Sequence, residues 1–483
     1  MSAPAPSRPA AAPSCPAAAP SRPAAAPSRP AAQAAPRGLG ASLRNVREFK
    51  ANPLAFYRRL TRDGDSGYRE VAFFDLFGPN YLVNGVDEAG RILTGAIDRG
   101  GATKDGLRFF EVMGRLLGRG LFTAEGDVHL RQRRLLQPSF QPRAVEDMAG
   151  GVVRAASAAG ARWSTQVGAA LDVEGEMRRL ALDLLAELLI GGDLRDDVHE
   201  FGALNEEMEA RLVEAMGAPV LAPAWLPTPG NRRFAATATR VRAVVARLIA
   251  QRRASLEAGR APDVLLTRLL ADELSTGAMG ERQFLDEIAT LLVGGYKSTA
   301  LALTWTWYLL ATHPDAGRRL AAEVSEQIGQ RPPTFADARG LRFTRMVVQE
   351  SMRLYPPVWV INRVATRRDV LGGVPIPRGA ILAVSPYTLH RHPAYWARPD
   401  DFHPEHFAEG VTRPAHAYLP FGAGRHKCIG NHHAMAVAIL TLATLAARYA
   451  FEPPAHPIAA SARAFTTPEA GMRMRLTAAA TRS

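Results

Sequence analysis

Cys428 lies in "FGAGRHKCIG" (residues 421–430), between a glycine-rich turn and the helical run "NHHAMAVAILTLATLAARY". A thiolate there meets free backbone amides at a helix N-terminus, with Arg425 and Lys427 close by in sequence. Those features depress a thiol pKa and suit a metal ligand. The glycines let a planar ligand approach the main chain, which an inert buried cysteine does not require. "QESMRLYPP" (residues 349–357) puts Glu350 and Arg353 three apart on one helix face. "FHPEHF" (402–407) and "HLRQRR" (129–134) add histidines and arginines. Each stretch is modest alone; in this order and spacing the set is specific.

A second stretch, "LLVGGYKSTALALTW" (291–305), has a lysine and two hydroxyls after paired glycines, like a damaged phosphate loop. That loop needs G-x-x-x-x-G-K-[ST]. With Lys297 as its lysine, the glycine positions fall on Leu291 and Tyr296, neither of which turns freely at positive φ. Nucleotide binding through this segment is excluded. A membrane span is the other rival, because Lys297 is the only charged side chain from residue 288 to 312. A lysine at the centre of such a span costs about 2.5–3.5 kcal/mol. Asp286 and Glu287 precede the run and "HPDAGRRLAAEV" follows it in soluble style, so a long helix through a soluble domain is expected.

The elements that hold these residues are mostly helical. "RVRAVVARLIAQRRASLEAG" (240–259) typifies the Ala/Leu/Arg/Glu-rich segments with helical periodicity. "YREVAFFDLFGPNYLVNG" (68–85) reads as strand, turn, strand. No strong linker interrupts residues 40–483, so the expectation is one large, mainly α domain with a minor β portion, spanning 39–483. Residues 1–38 instead repeat "PSRPAAA", with prolines too frequent for a helix and nothing to build a core, and read as a disordered arm. The arm lacks the apolar centre of a signal peptide.

The chain has 483 residues, 47% of them hydrophobic, and a formal net charge of +13. Four of those charges (Arg8, Arg22, Arg29, Arg37) belong to the arm, leaving nine on the body. A basic body admits an acidic protein partner or an anionic surface. The absence of a dense basic run interleaved with aromatics argues against nucleic acid. With Cys15 in the arm and Cys428 alone in the body, a disulfide framework is excluded and a reducing, cytoplasmic setting is expected.

Together these motifs resemble the cytochrome P450 haem-thiolate monooxygenases of the soluble bacterial type, from about residue 44 to 476. The resemblance implies the fold of that family, haem b, dioxygen, and electrons from NAD(P)H delivered by a separate ferredoxin and ferredoxin reductase. It makes Cys428 the thiolate ligand of the haem iron, within a loop carrying Phe421, Gly422 and Gly430. It assigns His129, Arg133, Arg363 and His426 to the haem propionates. Glu350, Arg353 and His406 would brace the core beneath, with His406 where an arginine is usual. The long helix would cross the distal haem face with Gly295, Lys297, Ser298 and Thr299 in the pattern [AG]-G-x-[DE]-T-[TS]. Here Lys297 replaces the acid and Ser298 the first threonine. By family position, Leu107, Phe109, Phe110, Met113, Val358, Val360, Ile361 and Phe465 would line the pocket.

These positions are mostly apolar and imply a terpenoid, fatty acyl or polyketide-like substrate. An acidic ferredoxin would dock near Arg131, Arg134, Arg425 and Lys427. The expected protein is a monomer without a transmembrane anchor, acting in secondary metabolism. Two alternatives stay open. Lys297 motivates a haem-thiolate enzyme with altered oxygen chemistry (oxidative coupling, peroxide use or non-oxidative rearrangement). A non-catalytic haem sensor is the other.

Overall fold

A computed structural model describes residues 39–61, 68–71, 79–94, 102–218 and 221–479. The arm expected at 1–38 lies outside the described residues, as does the middle of the strand–turn–strand segment. Its two strands, Tyr68–Val71 and Asn80–Val83, do pair antiparallel.

Helices dominate, and the longest, Glu281–Thr312, runs through the middle of the main core. It starts after Gly280 at φ +78° and ends at His313, because Pro314 opens the next helix and disfavours helical geometry before it. Most of its residues are buried on more than one face, against the helix Val173–Leu185 and the strand Tyr449–Phe451 among others. That all-round burial explains the nearly uncharged run; no described helix is long and apolar enough to cross a membrane. Trp305 stacks on Tyr355 with ring centres 3.9 Å apart, joining this helix to the end of Arg342–Leu354.

The largest sheet of the minor β portion has five strands. Its strand order is Tyr68–Val71, Asn80–Val83, Ile381–Val384, Ile361–Ala365 and Ala102–Thr103. The sheet covers a second core, and its Ile361–Ala365 strand carries Arg363. A strand near the C-terminus, Arg473–Ala478, lies between Ala170–Asp172 and Tyr449–Phe451. The expected architecture, one mainly α domain with a minor β portion, is the one observed.

Candidate functional site

The Cys428 loop is built by its glycines. Gly422 and Gly424 have φ of +67° and +70°, and a Cβ on Gly424 would lie 1.9 Å from the Leu93 carbonyl oxygen. The loop therefore sits against the helix Val86–Thr94 only as glycine. The Cys428 N–H donates to the Phe421 carbonyl at 2.9 Å, and Gly430 then caps the helix Asn431–Leu445. The Gly430 N–H reaches back to the sulfur. The thiol does not follow the expected direction. Burial raises its pKa and outweighs the Gly430 N–H, Arg133 and Lys427, which lower it. The residue as a whole is nevertheless exposed. Such a thiol becomes a thiolate when a cation binds it.

Beside the loop, four cationic or imidazole side chains meet one carboxylate. Glu125 lies 3.0 Å from His426 Nε2 and 3.5 Å from Lys104 Nζ. The His129 and His426 rings are 4.1 Å apart. Arg363, on its strand, is close enough to act electrostatically on Lys104, Glu125 and His426. Burial pushes the Glu125 carboxyl up, yet His426 and Lys104 bring it down to about 2. Burial pulls Lys104 down to about 8 against the attraction of Glu125. His129 falls to about 3, through burial first and then its positive neighbours. Its Nδ1 is buried with no hydrogen-bond partner among the described residues. One carboxylate is too few for this set, and two carboxylates of a planar macrocycle fit it. Arg133 is placed differently: it donates to the Lys427 carbonyl at 2.5 Å and to Gln137 at 2.8 Å, tying its helix to the Cys428 loop.

Behind the loop, Glu350 and Arg353 are fully buried and bonded bidentately at 2.7 Å. Arg353 also donates to the carbonyls of His390, Pro399 and Asp401. Glu350 accepts the His403 N–H at 2.8 Å and lies 3.1 Å from His406 Nδ1. Burial opposes ionisation of Glu350, but Arg353 and His406 carry its pKa below the ordinary value. The expected trio thus comes together, with a histidine in the arginine's role.

On the long helix the glycine pair divides. Gly295 packs on Leu185, where an added Cβ would lie 2.8 Å from Cδ2. Gly294 is the exposed one, with open space where its Cβ would be. Ser298, one turn on, donates its hydroxyl to the Gly294 carbonyl at 2.8 Å and shares that open face. Thr299 is half-buried beside it. Lys297 turns away. Its ammonium lies 3.1 Å from Glu206 and 3.0 Å from Glu209, both on the helix Arg195–Gly217. Tyr296 donates to the same Glu206 at 3.1 Å.

The apolar wall is only partly as expected. Phe109 and Phe110 form an aromatic cluster with Phe122, a residue the motifs did not single out. Leu107 and Met113 are buried, and Met113 packs in the main core. Ile361 reaches the Cys428 loop, its Cδ1 lying 3.6 Å from where a Cβ on Gly422 would be. Val360 packs instead on the cluster of Leu54, Phe56 and Trp359, and Val358 is exposed. Half-buried Phe465 precedes Thr466, whose N–H and hydroxyl bond the Pro357 and Pro356 carbonyls. Lys104 and Glu125 were also missed. Glu125 stands four residues before His129 at the start of its helix, and that spacing was the available signal.

Comparison with known proteins agrees with this geometry. The family model for cytochrome P450 matches residues 102–474. Cyclooctatin synthase of Streptomyces melanosporofaciens is 36% identical over 347 residues, covering 70% of this chain and 74% of the relative. Cyclooctat-9-en-7-ol 5-monooxygenase of the same organism is 34% identical, over 71% and 75%. Pentalenene oxygenase of Streptomyces avermitilis is 28% identical, over 73% and 77%. The heme domain of cytochrome P450DA superposes with a TM-score of 0.80 over 93% of this chain and 98% of its own, at 23% identity. The chain belongs to the cytochrome P450 family and is an oxidoreductase of the monooxygenase class.

Proposed function

We propose that this P450 inserts oxygen into an apolar terpenoid. The observation that carries the reading is the meeting of the Cys428 loop with the cluster of cationic and imidazole side chains formed by Lys104, His129, Arg363 and His426. Haem held there supplies the oxidising chemistry, in which dioxygen, two electrons and two protons place one oxygen atom in the substrate and release the other as water.

The chain's own residues hold and orient. Cys428 would ligate the iron, and the Gly430 N–H to its sulfur tunes how strongly the thiolate donates charge. His129, Arg363, His426 and Lys104 would bind the propionates, while Arg133 braces the loop from outside. Gly294 leaves open space on its face of the long helix, where the macrocycle would have room. Ser298 offers a hydroxyl on that face which can accept and pass on a proton. Phe109, Phe110, Phe122 and Ile361 would exclude water and press on the substrate. Two of the relatives are named for cyclooctat-9-en-7-ol and pentalenene, which supports a terpenoid over a fatty acyl or polyketide-like ligand.

Electrons would come from a separate acidic ferredoxin and its NAD(P)H-dependent reductase. Arg131, Arg134 and Lys427 are exposed, and the Arg133–Lys427 bond brings their two elements to one side of the molecule. Lys297 does not favour the altered-chemistry reading, because its charge is already met by Glu206 and Glu209. The test is a titration of the haem-loaded protein with terpenoid alcohols and hydrocarbons, fatty acids and polyketide lactones, read from the haem absorption band. Terpenoids should displace the band at micromolar concentration; a response confined to fatty acids or lactones would overturn the substrate class.

A further inference from the structure

Asp286 and Glu287 stand at the start of the long helix's apolar run. Both are buried. Their carboxylates point at the main chain of residues 118–122, the loop between the helices Arg108–Leu117 and Gly126–Leu136. Asp286 accepts the Arg119 N–H at 2.9 Å, and Glu287 accepts the Leu121 N–H at 2.9 Å. The Arg119 carbonyl takes the side-chain amides of Gln132 at 2.8 Å and Gln283 at 2.9 Å. Gln283 also donates to the second oxygen of Glu287 at 3.0 Å, and Arg242 lies 3.4 Å from Asp286.

The loop is shaped for this grip. A Cβ on Gly118, at φ +80°, would lie 2.1 Å from the Asp286 carboxylate. One on Gly120 would lie 2.1 Å from Thr290 Oγ1 and 2.6 Å from the Asp286 carbonyl. Any larger residue would lift the loop off the helix. The arrangement also carries a cost, since burial pushes the Glu287 carboxyl up to about 7.

The Phe122 carbonyl receives the Lys104 ammonium at 3.0 Å. Three residues later Glu125 pairs with Lys104 and His426, and His129 follows one helical turn after that. The grip on residues 119 and 121 is therefore continuous with the cation cluster and, through His426, with the Cys428 loop. We propose that Asp286 and Glu287 are positioning residues for the cofactor. By holding the amides of Arg119 and Leu121 they fix Lys104, Glu125 and His129 against the Cys428 loop. The inference rests on the haem reading.

The measurement is the rate of haem loss from the full-length loaded protein to an excess of haem-scavenging globin. Outer supports of a bound metal group commonly change its affinity by about 10–100-fold. Glu287→Leu should lose haem at least about tenfold faster than the unmodified chain. Glu287→Gln keeps an acceptor for the Leu121 N–H and should stay within about twofold. Leu303→Ala, buried in the main core on the side of the same helix away from Gly294 and Ser298, destabilises the chain without touching the loop and should retain haem normally. If Glu287→Leu does not fold, Gly120→Ala displaces the same loop and should show the same faster loss. Unchanged loss in both loop variants, or equal loss in Leu303→Ala at matched melting temperature, overturns the inference. An unmodified chain that takes up no haem would sink the haem reading instead.

Discussion

Lys297→Met tests whether the charge reversal on the long helix is structural. The Lys297 side chain is 5% exposed and lies between Glu206 and Glu209, which are 38% and 18% exposed. Arg178 lies 3.6 Å from Glu206 and 3.9 Å from Glu174, so the cluster joins three helices and holds three carboxylates against two cations. Removing one partner of a fully buried pair costs about 3–5 kcal/mol, because the other charge is stranded. Glu206 keeps much of its water, so only Glu209 is stranded here, and a loss of about 2–3 kcal/mol is expected. Glu209→Gln should cost about 1–2 kcal/mol and Glu206→Gln less than about 1 kcal/mol, since each leaves Lys297 one acid. In a double-mutant cycle by urea denaturation, Lys297 and Glu209 should couple by about 1–2 kcal/mol. The triple variant Lys297→Met/Glu206→Gln/Glu209→Gln should recover most of the loss, because an ion cluster replaced as a whole is nearly neutral. A Lys297→Met chain as stable as the unmodified one, with no coupling to Glu209, would refute the reasoning. The same count disfavours Lys297 as a clamp for a substrate carboxylate: a fourth acid would enter a cluster already short of cations. An acid and its methyl ester should therefore lose affinity equally, if at all, in the Lys297→Met variant.

Cys428→Ala should abolish the long-wavelength band of the reduced, carbon monoxide-treated protein; a band unchanged in the variant removes the proposed ligand. Ser298→Ala should divert reducing equivalents from product to peroxide, measured per NADPH with a surrogate ferredoxin pair, and unchanged coupling would mean that another group supplies protons. Glu287 makes stability depend on pH. Its folded pKa of about 7 stands above the ordinary 4.5, so the folded chain holds the extra proton between those values. Its contribution is fully present below about pH 4.5 and is lost as pH rises through 7, a fall of about 3 kcal/mol. Glu287→Gln should remove that slope and melt higher than the unmodified chain at pH 8; an unaltered slope assigns the titration elsewhere.

What the sequence disclosed follows from how far apart the cooperating residues are along the chain. Glu350 and Arg353 are three apart on one helix, and the Cys428 loop is ten consecutive residues, so their chemistry forces a pattern that can be read locally. Asp286 and Glu287 grip amides 167 and 166 residues away, and no local pattern marks that contact. Its only trace is "GRG" at 118–120, two glycines whose need appears once the carboxylates are opposite them. The same distinction explains the thiol. Helix terminus, Arg425 and Lys427 are neighbours of Cys428 in sequence and all argue for a lowered pKa. Burial comes from the rest of the fold and reverses the sign. The glycine pair on the long helix repeats the point, since Leu185 on another helix decides that Gly295 packs and Gly294 stays open. Reversing the charge at residue 297 was visible at once, but its meaning was not, because Glu206 and Glu209 lie 91 and 88 residues earlier. The pairing of Lys297 with Glu206 and Glu209 joins the two helices. It also leaves the open face of Gly294 and Ser298 free of that charge, so the pairing that stabilises the helices is the one that spares the site.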